Sequence, residues 1–397
     1  MITFDHFWDI KPRVEYFPEY DTSGEFNSMN LRGIKALAYD GADYKGMHTK
    51  VFAHIGFPEK TEKPVPAIVL IHGGGGHPED VWIKKWNEEG YAAIAMDTTG
   101  YFPTQPIPHL REGFAEGLKR ELVAPFAEKG YTVTLDNSGM ADCSLAIEEQ
   151  WMYQAIAAVI LAHNILRNDP RVDSSKIGIC GISWGGIITS IAIGYDTRFA
   201  FAVPIYGSGY LGIGLSDIDK IFKTPESGKW LAEKNFSKVK MPVMWLGWND
   251  DGCFSIQSNS MSYLVTKEQN NNTCLSMRHK MMHSHYNGYT PRESYWFANE
   301  VLHGNRIPKV EARYVDNKVY YTCSEKAKEV RFFYISEKMS YIRREKYGDT
   351  NSYMKQEWQI MELNPEDSVA YIPENAVGKY VEFTLENGIV LTTPYTE

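Results

Sequence analysis

Short apolar runs without charged residues recur through most of the chain, and polar or amphipathic stretches separate them. Continuous runs of about four to eight apolar residues are typical of strands that are buried on both faces of a sheet. The predicted strands are 50–58, 67–71, 91–97, 177–180, 199–206, 242–247 and 274–281, and the predicted helices are 81–89, 150–167, 257–266 and 292–302. This alternation predicts an α/β fold with a mostly parallel sheet and helices on both faces.

The pattern changes after Pro308, where every second residue becomes apolar. This alternation is typical of half-buried antiparallel strands, and Asp316-Asn317 is a good turn pair between two of them. The alternating segments are 310–314, 319–323, 330–334 and 381–385. They predict a small C-terminal β-sandwich, which could serve packing, carbohydrate binding or oligomerisation.

The pattern therefore divides the chain into three parts. We expect an N-terminal segment, 1–49, that wraps the main domain, an α/β domain over 50–305, and the sandwich over 306–397. Within the α/β domain, 98–148 adds no strand to the sheet. Because an insertion of this length is more often functional than idle, we expect a lid or a substrate wall there.

The first chemical motif lies directly after the predicted strand 177–180. Gly181-Ile-Ser-Trp-Gly185 matches G-x-S-x-G, the strand-to-helix turn that presents a serine as a nucleophile. Apolar residues at 187, 188, 191 and 192 then continue at helical spacing. The motif in this context predicts that Ser183 lies on a strained turn that presents its side chain as a nucleophile.

A second motif follows the strand 67–71. His72-Gly-Gly-Gly-Gly76 is similar to the glycine loops whose backbone N–H groups stabilise the anion formed in ester hydrolysis. We expect the N–H groups of Trp184 and of Gly74 or Gly75 to form this oxyanion hole. Read alone, the loop could equally be a flexible turn, but the downstream serine motif favours the oxyanion role.

Candidate acids and bases follow later strands in the order that a hydrolase requires. Asp250 and Asp251 come after the strand 242–247, and His283 and His285 come after the strand 274–281. Serine, then aspartate, then histidine is the chain order of α/β-hydrolases. The pattern leaves open which member of each pair acts.

Composition excludes several classes of partner. The formal net charge of −9 disfavours nucleic acid, and no apolar stretch is long enough for a membrane helix. The first residues lack the basic and apolar regions of a secretory signal. The five cysteines are scattered without metal-like or paired spacing, which favours reduced thiols and a cytoplasmic location. No metal or cofactor is implied, and the oligomeric state is not predicted.

The chain resembles bacterial acetyl xylan esterases of the dienelactone-hydrolase-like branch of α/β-hydrolases, from about 50 to 302. Besides the motifs above, the resemblance includes 86–97, 203–209, 247–250 and 282–285. It implies an esterase with Ser183 as nucleophile, Asp250 as acid and His283 as base. The chain departs from the family in two places, with His283-Ser-His285 where HGHG is usual and a second aspartate after Asp250.

These residues predict a serine esterase with a small-molecule or carbohydrate ester as substrate. Asp250 is preferred to Asp251 because Asp251-Gly252 has turn chemistry, and His283 is preferred to His285 because it comes first after the strand. We expect the side chains of Tyr206, Tyr210, Trp248 and His285 to line the substrate site. The bulky rings of Trp184, Trp248, Tyr206 and Tyr210 would favour short acyl groups such as acetyl if they face the acyl side of Ser183, and they could equally be core aromatics. The alternatives are a serine peptidase or amidase on the same fold, and a non-catalytic carbohydrate-binding protein.

Overall fold

The apolar runs form strands, and most of the amphipathic stretches form helices, in a computed structural model of the chain. The structure describes residues 2–22, 25–26, 29–59, 62–100, 140–214, 216–343 and 352–397. The contacts divide the chain into two units, Met1–Ala202 and Val203–Glu397, and the division falls within one strand, Phe201–Ile205. None of the described helices is long and apolar enough to cross a membrane.

The first unit contains a sheet with both parallel and antiparallel pairs. Its helices are α1 (Asp80–Glu88), α2 (Trp151–Asn168) and α3 (Trp184–Ala192), and its strands are β1 (Val14–Tyr16), β2 (Glu25–Phe26), β3 (Met29–Asn30), β4 (Lys35–Asp40), β5 (Lys50–Gly56), β6 (Val65–Ile71), β7 (Ala92–Met96) and β8 (Val172–Ile182). The strand order is β1-β4-β5-β7-β6-β8. β6 pairs in parallel with both β7 and β8, and the pairs further out are antiparallel.

The N-terminal segment packs on this unit and also extends its sheet. Phe4 stacks on Tyr153 of α2 with ring centroids 4.8 Å apart, and the side chain of Asn164 donates to the carbonyl of Phe7 at 2.7 Å. β1 and β4, which the sequence pattern did not predict, lie within this segment. Most of the predicted lid, 98–148, lies outside the described residues.

The second unit combines three parallel strands with antiparallel sheets. Its helices are α4 (Asp217–Phe222), α5 (Pro225–Gly228), α6 (Ile256–Gln269), α7 (His285–Tyr289) and α8 (Arg292–Leu302). β9 (Phe201–Ile205), β10 (Met244–Trp248) and β11 (Cys274–Arg278) are parallel. The remaining strands are β12 (Val310–Val315), β13 (Lys318–Cys323), β14 (Ala327–Ile335), β15 (Tyr341–Arg343), β16 (Ser352–Met354), β17 (Gln359–Leu363), β18 (Val369–Tyr371), β19 (Gly378–Leu385) and β20 (Val390–Thr392).

The C-terminal strands form facing antiparallel sheets, as predicted. A three-stranded sheet, β12-β13-β18, and a four-stranded sheet, β17-β14-β19-β20, contact each other through aromatic rings such as Tyr321 and Phe383. The backbone N–H of Met277 in β11 donates to the hydroxyl of Thr392 in β20 at 3.1 Å. The antiparallel sheets are thus bonded to the parallel strands of their own unit, and the predicted boundary at 305/306 stays a prediction.

Candidate active site

Ser183 has a backbone conformation that glycine normally occupies. It lies between β8 and α3 with φ 58° and ψ −117°. These angles are those of the first central position of a type II′ turn, and a non-glycine residue there costs about 1–3 kcal/mol. A strained serine between a strand and a helix is what the G-x-S-x-G motif predicted.

The two flanking glycines are required by close backbone packing. A Cβ atom on Gly181 would lie 2.1 Å from the carbonyl oxygen of Gly185, and one on Gly185 would lie 2.0 Å from that of Ile71. Neither distance is compatible with a carbon atom, and backbone cannot rotate away as a side chain can. Glycine at both positions therefore allows α3 to pack directly against the end of β6.

The glycine loop after β6 lies beside this turn. β6 and β8 are neighbours with Ile71 opposite Gly181, so their carboxyl ends meet at one edge of the sheet. The N–H of Gly76 donates to the carbonyl of Gly73 at 2.9 Å, which closes a turn with Gly74 and its neighbour as exposed central residues. A Cβ on Gly74 would lie 2.8 Å from the indole of Trp184. The structure thus brings the proposed oxyanion donors together, and their role stays a prediction.

His72 holds the beginning of this loop. Its side chain is buried, with Nδ1 2.8 Å from the carbonyl oxygen of Gly73, and Nε2 accepts the backbone N–H of Thr98 at 3.1 Å. Because a carbonyl only accepts and an N–H only donates, these two bonds assign the proton to Nδ1. His72 is therefore a supporting residue of the loop.

The indole of Trp184 packs edge-on against Trp151. The ring centroids are 5.4 Å apart with an interplanar angle of 85°, and Trp151 donates its own N–H to the carbonyl of Thr98. Edge-to-face packing fixes the orientation of both rings. The residue after Ser183 thus presents a fixed aromatic surface next to the candidate nucleophile.

The second unit contains a histidine–carboxylate pair. The Nδ1 atom of His283 lies 2.8 Å from Oδ2 of Asp251. The Asp251 side chain is 2% exposed, whereas the His283 side chain is 22% exposed. Because an ionised carboxylate only accepts, the bond assigns the Nδ1 proton to His283. Nε2 is then the nitrogen that can accept a proton, as a general base requires.

The carboxylate bonded to His283 is not that of the predicted acid, and the assignment of the acid stays a prediction. The predicted residue was Asp250, because Asp251-Gly252 has turn chemistry, but it is the carboxylate of Asp251 that bonds His283. Asp251 both forms the turn and bonds the histidine. For the turn, its Oδ1 accepts the N–H of Cys253 at 2.8 Å and that of Phe254 at 3.2 Å. A carboxylate has two oxygens, so the turn and the histidine use different ones.

Two rings lie nearly parallel to the imidazole of His283. The Tyr206 centroid is 4.5 Å away at an angle of 26°, and the Phe254 centroid is 5.8 Å away at 13°. The hydroxyl of Tyr206 donates to the carbonyl of Met282 at 2.6 Å, and the tyrosine side chain has no exposed surface. Tyr206 is therefore buried against the loop that carries His283, and its predicted contact with a substrate stays a prediction.

The other predicted substrate residues differ in exposure. Trp248 is the last residue of β10 and is buried. Tyr210 is half-buried, and its backbone N–H donates to the carboxylate of Glu233 at 2.8 Å. His285 is half-buried and begins α7, one residue after the N-cap Ser284. Contact of Tyr210, Trp248 and His285 with a substrate remains a prediction.

Sequence patterns did not identify the residue that anchors the loop after β10, residues 249–252, which contains the candidate acids and is called the acid loop below. Asn249 follows β10 directly, donates its side-chain amide to the hydroxyl of Tyr380 at 2.9 Å, and accepts the indole N–H of Trp358 at its carbonyl, at 3.2 Å. Both partners lie more than a hundred residues further along the chain, so no local pattern could reveal them.

In the described ranges, no three His, Cys, Asp or Glu side chains group as a metal site would require.

Comparison with known proteins points to one family. The model of the family described as acetyl xylan esterase (AXE1) matches residues 2–212. No curated protein sequence matches the chain.

Solved structures with similar folds are distant in sequence. Acetyl xylan esterase 1 from Thermoanaerobacterium sp. is 16% identical with a TM-score of 0.46, over 75% of this chain and 93% of that one. The acetyl xylan esterase from Paenibacillus sp. is 17% identical with a TM-score of 0.44, over 70% and 87%. The acylaminoacyl peptidase from Pyrococcus horikoshii is 16% identical with a TM-score of 0.49, over 72% and 44%, so the chain spans less than half of that peptidase. Because the family match covers more than half of the 397 residues, the chain belongs to the acetyl xylan esterase (AXE1) family of α/β-hydrolases.

Proposed function

We propose that the chain is a serine esterase in which Ser183 is the nucleophile, His283 the base and Asp251 the acid. The observation that carries the proposal is the backbone of Ser183, which holds a non-glycine residue at positive φ between β8 and α3. Strain of this kind persists where the surrounding structure enforces it, and it is common at catalytic nucleophiles. The hydrogen-bonded pair of Asp251 and His283 supplies the other two groups of the chemistry.

In the proposed reaction, the hydroxyl oxygen of Ser183 attacks the ester carbonyl carbon while Nε2 of His283 takes the hydroxyl proton. The tetrahedral intermediate collapses, the bond to the alcohol oxygen breaks, and His283 returns the proton to the leaving alcohol. Water then attacks the acyl-enzyme in the same way, which releases the carboxylic acid and restores Ser183. Asp251 stabilises the imidazolium that forms in each step.

The oxyanion of each intermediate would accept backbone N–H groups of Trp184 and of Gly74 or Gly75. The Trp184 N–H belongs to the first residue of α3, directly after Ser183. Gly74 and Gly75 are the central residues of an exposed turn beside it. Each such donor lowers the barrier by about 3–4 kcal/mol in comparable enzymes.

The proposed substrate is an acetylated carbohydrate or another ester with a short acyl group. Family membership supports the substrate class, and the fixed indole of Trp184 beside Ser183 supports a small acyl site. An acyl chain that does not fit would lose about 1–3 kcal/mol of transition-state binding per methylene. We therefore expect kcat/KM to fall steeply from nitrophenyl acetate through propionate and butyrate to hexanoate.

The test compares ester and amide hydrolysis by the wild-type chain and by two serine variants. We expect Ser183→Ala to lose nitrophenyl acetate hydrolysis and labelling by a fluorophosphonate, which reacts with activated serines. Ser175→Ala is the matched control, because Ser175 is an exposed serine bonded to Asp173. Faster cleavage of a dipeptide anilide than of the ester would favour a peptidase, and an active Ser183→Ala variant would exclude Ser183 as nucleophile.

A further inference from the structure

Tyr206 contacts the loop of the base in two ways. Its ring lies 4.5 Å from the imidazole of His283 at 26°, and its hydroxyl donates to the carbonyl of Met282 at 2.6 Å. Met282 and His283 are consecutive, so one side chain contacts both the imidazole and the peptide group that precedes it. The backbone N–H of Tyr206 donates to Leu246 of β10 at 2.9 Å, which ties the residue to the parallel strands.

The loop needs such support because its backbone is strained. Met282 has φ 56° and Lys280 has φ 60°, and both are non-glycine residues in the left-handed region. Tyr206 itself has φ 46°. Each such residue costs about 1–3 kcal/mol and persists only where neighbouring contacts enforce it. The hydroxyl bond to the Met282 carbonyl is a contact of this kind.

The environment of Tyr206 keeps its hydroxyl a donor. The side chain is fully buried, and this burial, together with the nearby charge of Asp251, raises the pKa of Tyr206 far above its ordinary value. The phenol therefore stays protonated and can donate to Met282 at every accessible pH. The ring is also confined, because a buried side chain cannot rotate without displacing its neighbours.

We propose that Tyr206 is a positioning residue that fixes the imidazole of His283 for proton transfer. The inference rests on the proposed function of His283 as base, and it differs from a substrate-binding role for Tyr206. Proton transfer from a serine requires the acceptor nitrogen to be held within a fraction of an ångström of its working position. The Asp251 bond fixes one atom of the ring, and the stacked phenol restricts rotation of the ring about that atom.

Two variants separate the hydroxyl from the ring. Tyr206→Phe keeps the stacked ring and removes the bond to Met282, whereas Tyr206→Leu removes both. We expect kcat to fall about fivefold to tenfold in the first and about 100-fold in the second, with KM nearly unchanged, because misplacing a catalytic group by about 1 Å has effects of that size. The preference among acetate, butyrate and hexanoate esters should not change.

A measurement on the protein without substrate gives an independent readout. The Nδ1 proton of His283, bonded to Asp251, should give a downfield proton NMR resonance, assigned by its absence in His283→Ala. We expect this resonance to weaken in Tyr206→Phe and to be lost to exchange with water in Tyr206→Leu. This readout does not require ester hydrolysis, so failure of the proposed function and failure of the positioning role can be told apart.

Tyr295→Phe is the matched control. The hydroxyl of Tyr295 donates to the carbonyl of Tyr289 at 2.7 Å, so this variant also removes a buried tyrosine hydroxyl bond to backbone in the same unit. It should leave both kcat and the His283 resonance unchanged. If Tyr206→Leu raised KM and altered acyl preference while the resonance and kcat were retained, Tyr206 would be a substrate residue and the proposal would be wrong.

Discussion

At the scale of single residues, the two oxygens of the Asp251 carboxylate have separate tasks. Oδ1 accepts two backbone N–H groups of its own loop, and Oδ2 faces Nδ1 of His283. The two loop bonds restrict the Asp251 carboxylate independently of the imidazole. The carboxylate therefore loses little rotational freedom when it bonds His283. Asn at this position would present an amide that cannot accept at both sites.

We predict that Asp251→Asn lowers kcat by about 10⁴-fold, because the imidazole would lose the partner that sets its tautomer. Asp250→Asn removes a charge next to this pair but not the bond itself, and a much smaller loss is expected. Steady-state kinetics with nitrophenyl acetate compare the two variants, and circular dichroism confirms that both are folded. A larger loss of kcat in Asp250→Asn would instead identify Asp250, the residue that the sequence favoured, as the acid.

The choice between these two residues shows what a local pattern can and cannot determine. The sequence predicted the strained turn at Ser183 and the close packing of its flanking glycines, because both depend on residues close in the chain. It assigned Asp251 to the turn at Gly252 and was correct about the turn. It did not reveal the bond between Asp251 and His283, since that bond joins residues 32 positions apart.

At the scale of elements, the predicted strands and helices agree with the structure where burial is extensive. α8 has the predicted bounds, and the strand before Ser183 is longer than predicted, because its first residues are exposed and polar. β16 and β18 escaped prediction because they are three residues long. β4 carried a signal, since residues 36–39 are apolar and fully buried, but it was overlooked in an aromatic segment punctuated by glycine and proline.

One element contact links the antiparallel sheets to the acid loop. The side-chain amide of Asn249 donates to the hydroxyl of Tyr380 in β19, whose ring stacks on Phe333 at 4.9 Å. Removing the acceptor would leave a buried amide without this partner, at a cost of about 1–3 kcal/mol. The sheets therefore support the loop that leads to Asp251.

We predict that Tyr380→Phe destabilises the protein by about 1–3 kcal/mol and also lowers kcat severalfold, through displacement of the acid loop. Tyr321→Phe is the control, because the Tyr321 hydroxyl donates at 2.8 Å to the carbonyl of Asn364, within the antiparallel region. It should cost similar stability with little change in kcat. Urea unfolding and ester kinetics measure the two effects, and equal kcat in both variants would argue against a link between Tyr380 and the site.

At the scale of the whole molecule, the family match includes only part of the candidate site. The match ends at residue 212 and so includes Ser183 and the glycine loop, whereas Asp251 and His283 lie beyond it. The proposed nucleophile and its turn therefore lie within the family match. The proposed acid and base lie outside the match, and the proposal for them rests on their own contacts.

A buried histidine couples the stability of the molecule to pH. His163 in α2 and Asp196 are fully buried with Nδ1 and Oδ2 2.8 Å apart, and Arg198 binds the same carboxylate at 2.7 Å. Burial lowers the pKa of His163, although the bond to Asp196 opposes this change. The unfolded chain therefore takes up this proton at a higher pH than the folded chain, near the ordinary value of about 6.5. Stability is present above that pH and is lost as the pH falls below it.

We predict that acidification from about pH 7.5 to 5.5 lowers the free energy of unfolding, with His163 contributing at most about 1.4 kcal/mol per pH unit. His163→Asn keeps a donor for Asp196 without a titrating ring, so it should reduce the slope. His48→Asn is the control, because His48 forms an exposed pair with Asp43 at 2.7 Å. Urea titrations at several pH values give the slopes, and an unchanged slope in His163→Asn would show that other groups cause the loss.

The positive φ of Ser183 means that the molecule would be more stable with glycine in place of the proposed nucleophile. Alanine at 183 keeps a Cβ atom and hence the strain, whereas glycine adopts φ 58° without it, at an entropic cost of about 0.5–1 kcal/mol in the unfolded chain. Both variants should be inactive, but we predict that Ser183→Gly is about 1 kcal/mol more stable than Ser183→Ala, measured by urea unfolding. The reverse order would mean that the turn is not strained. Selection for thermal stability alone would then favour glycine at 183 and yield a more stable protein without ester hydrolysis.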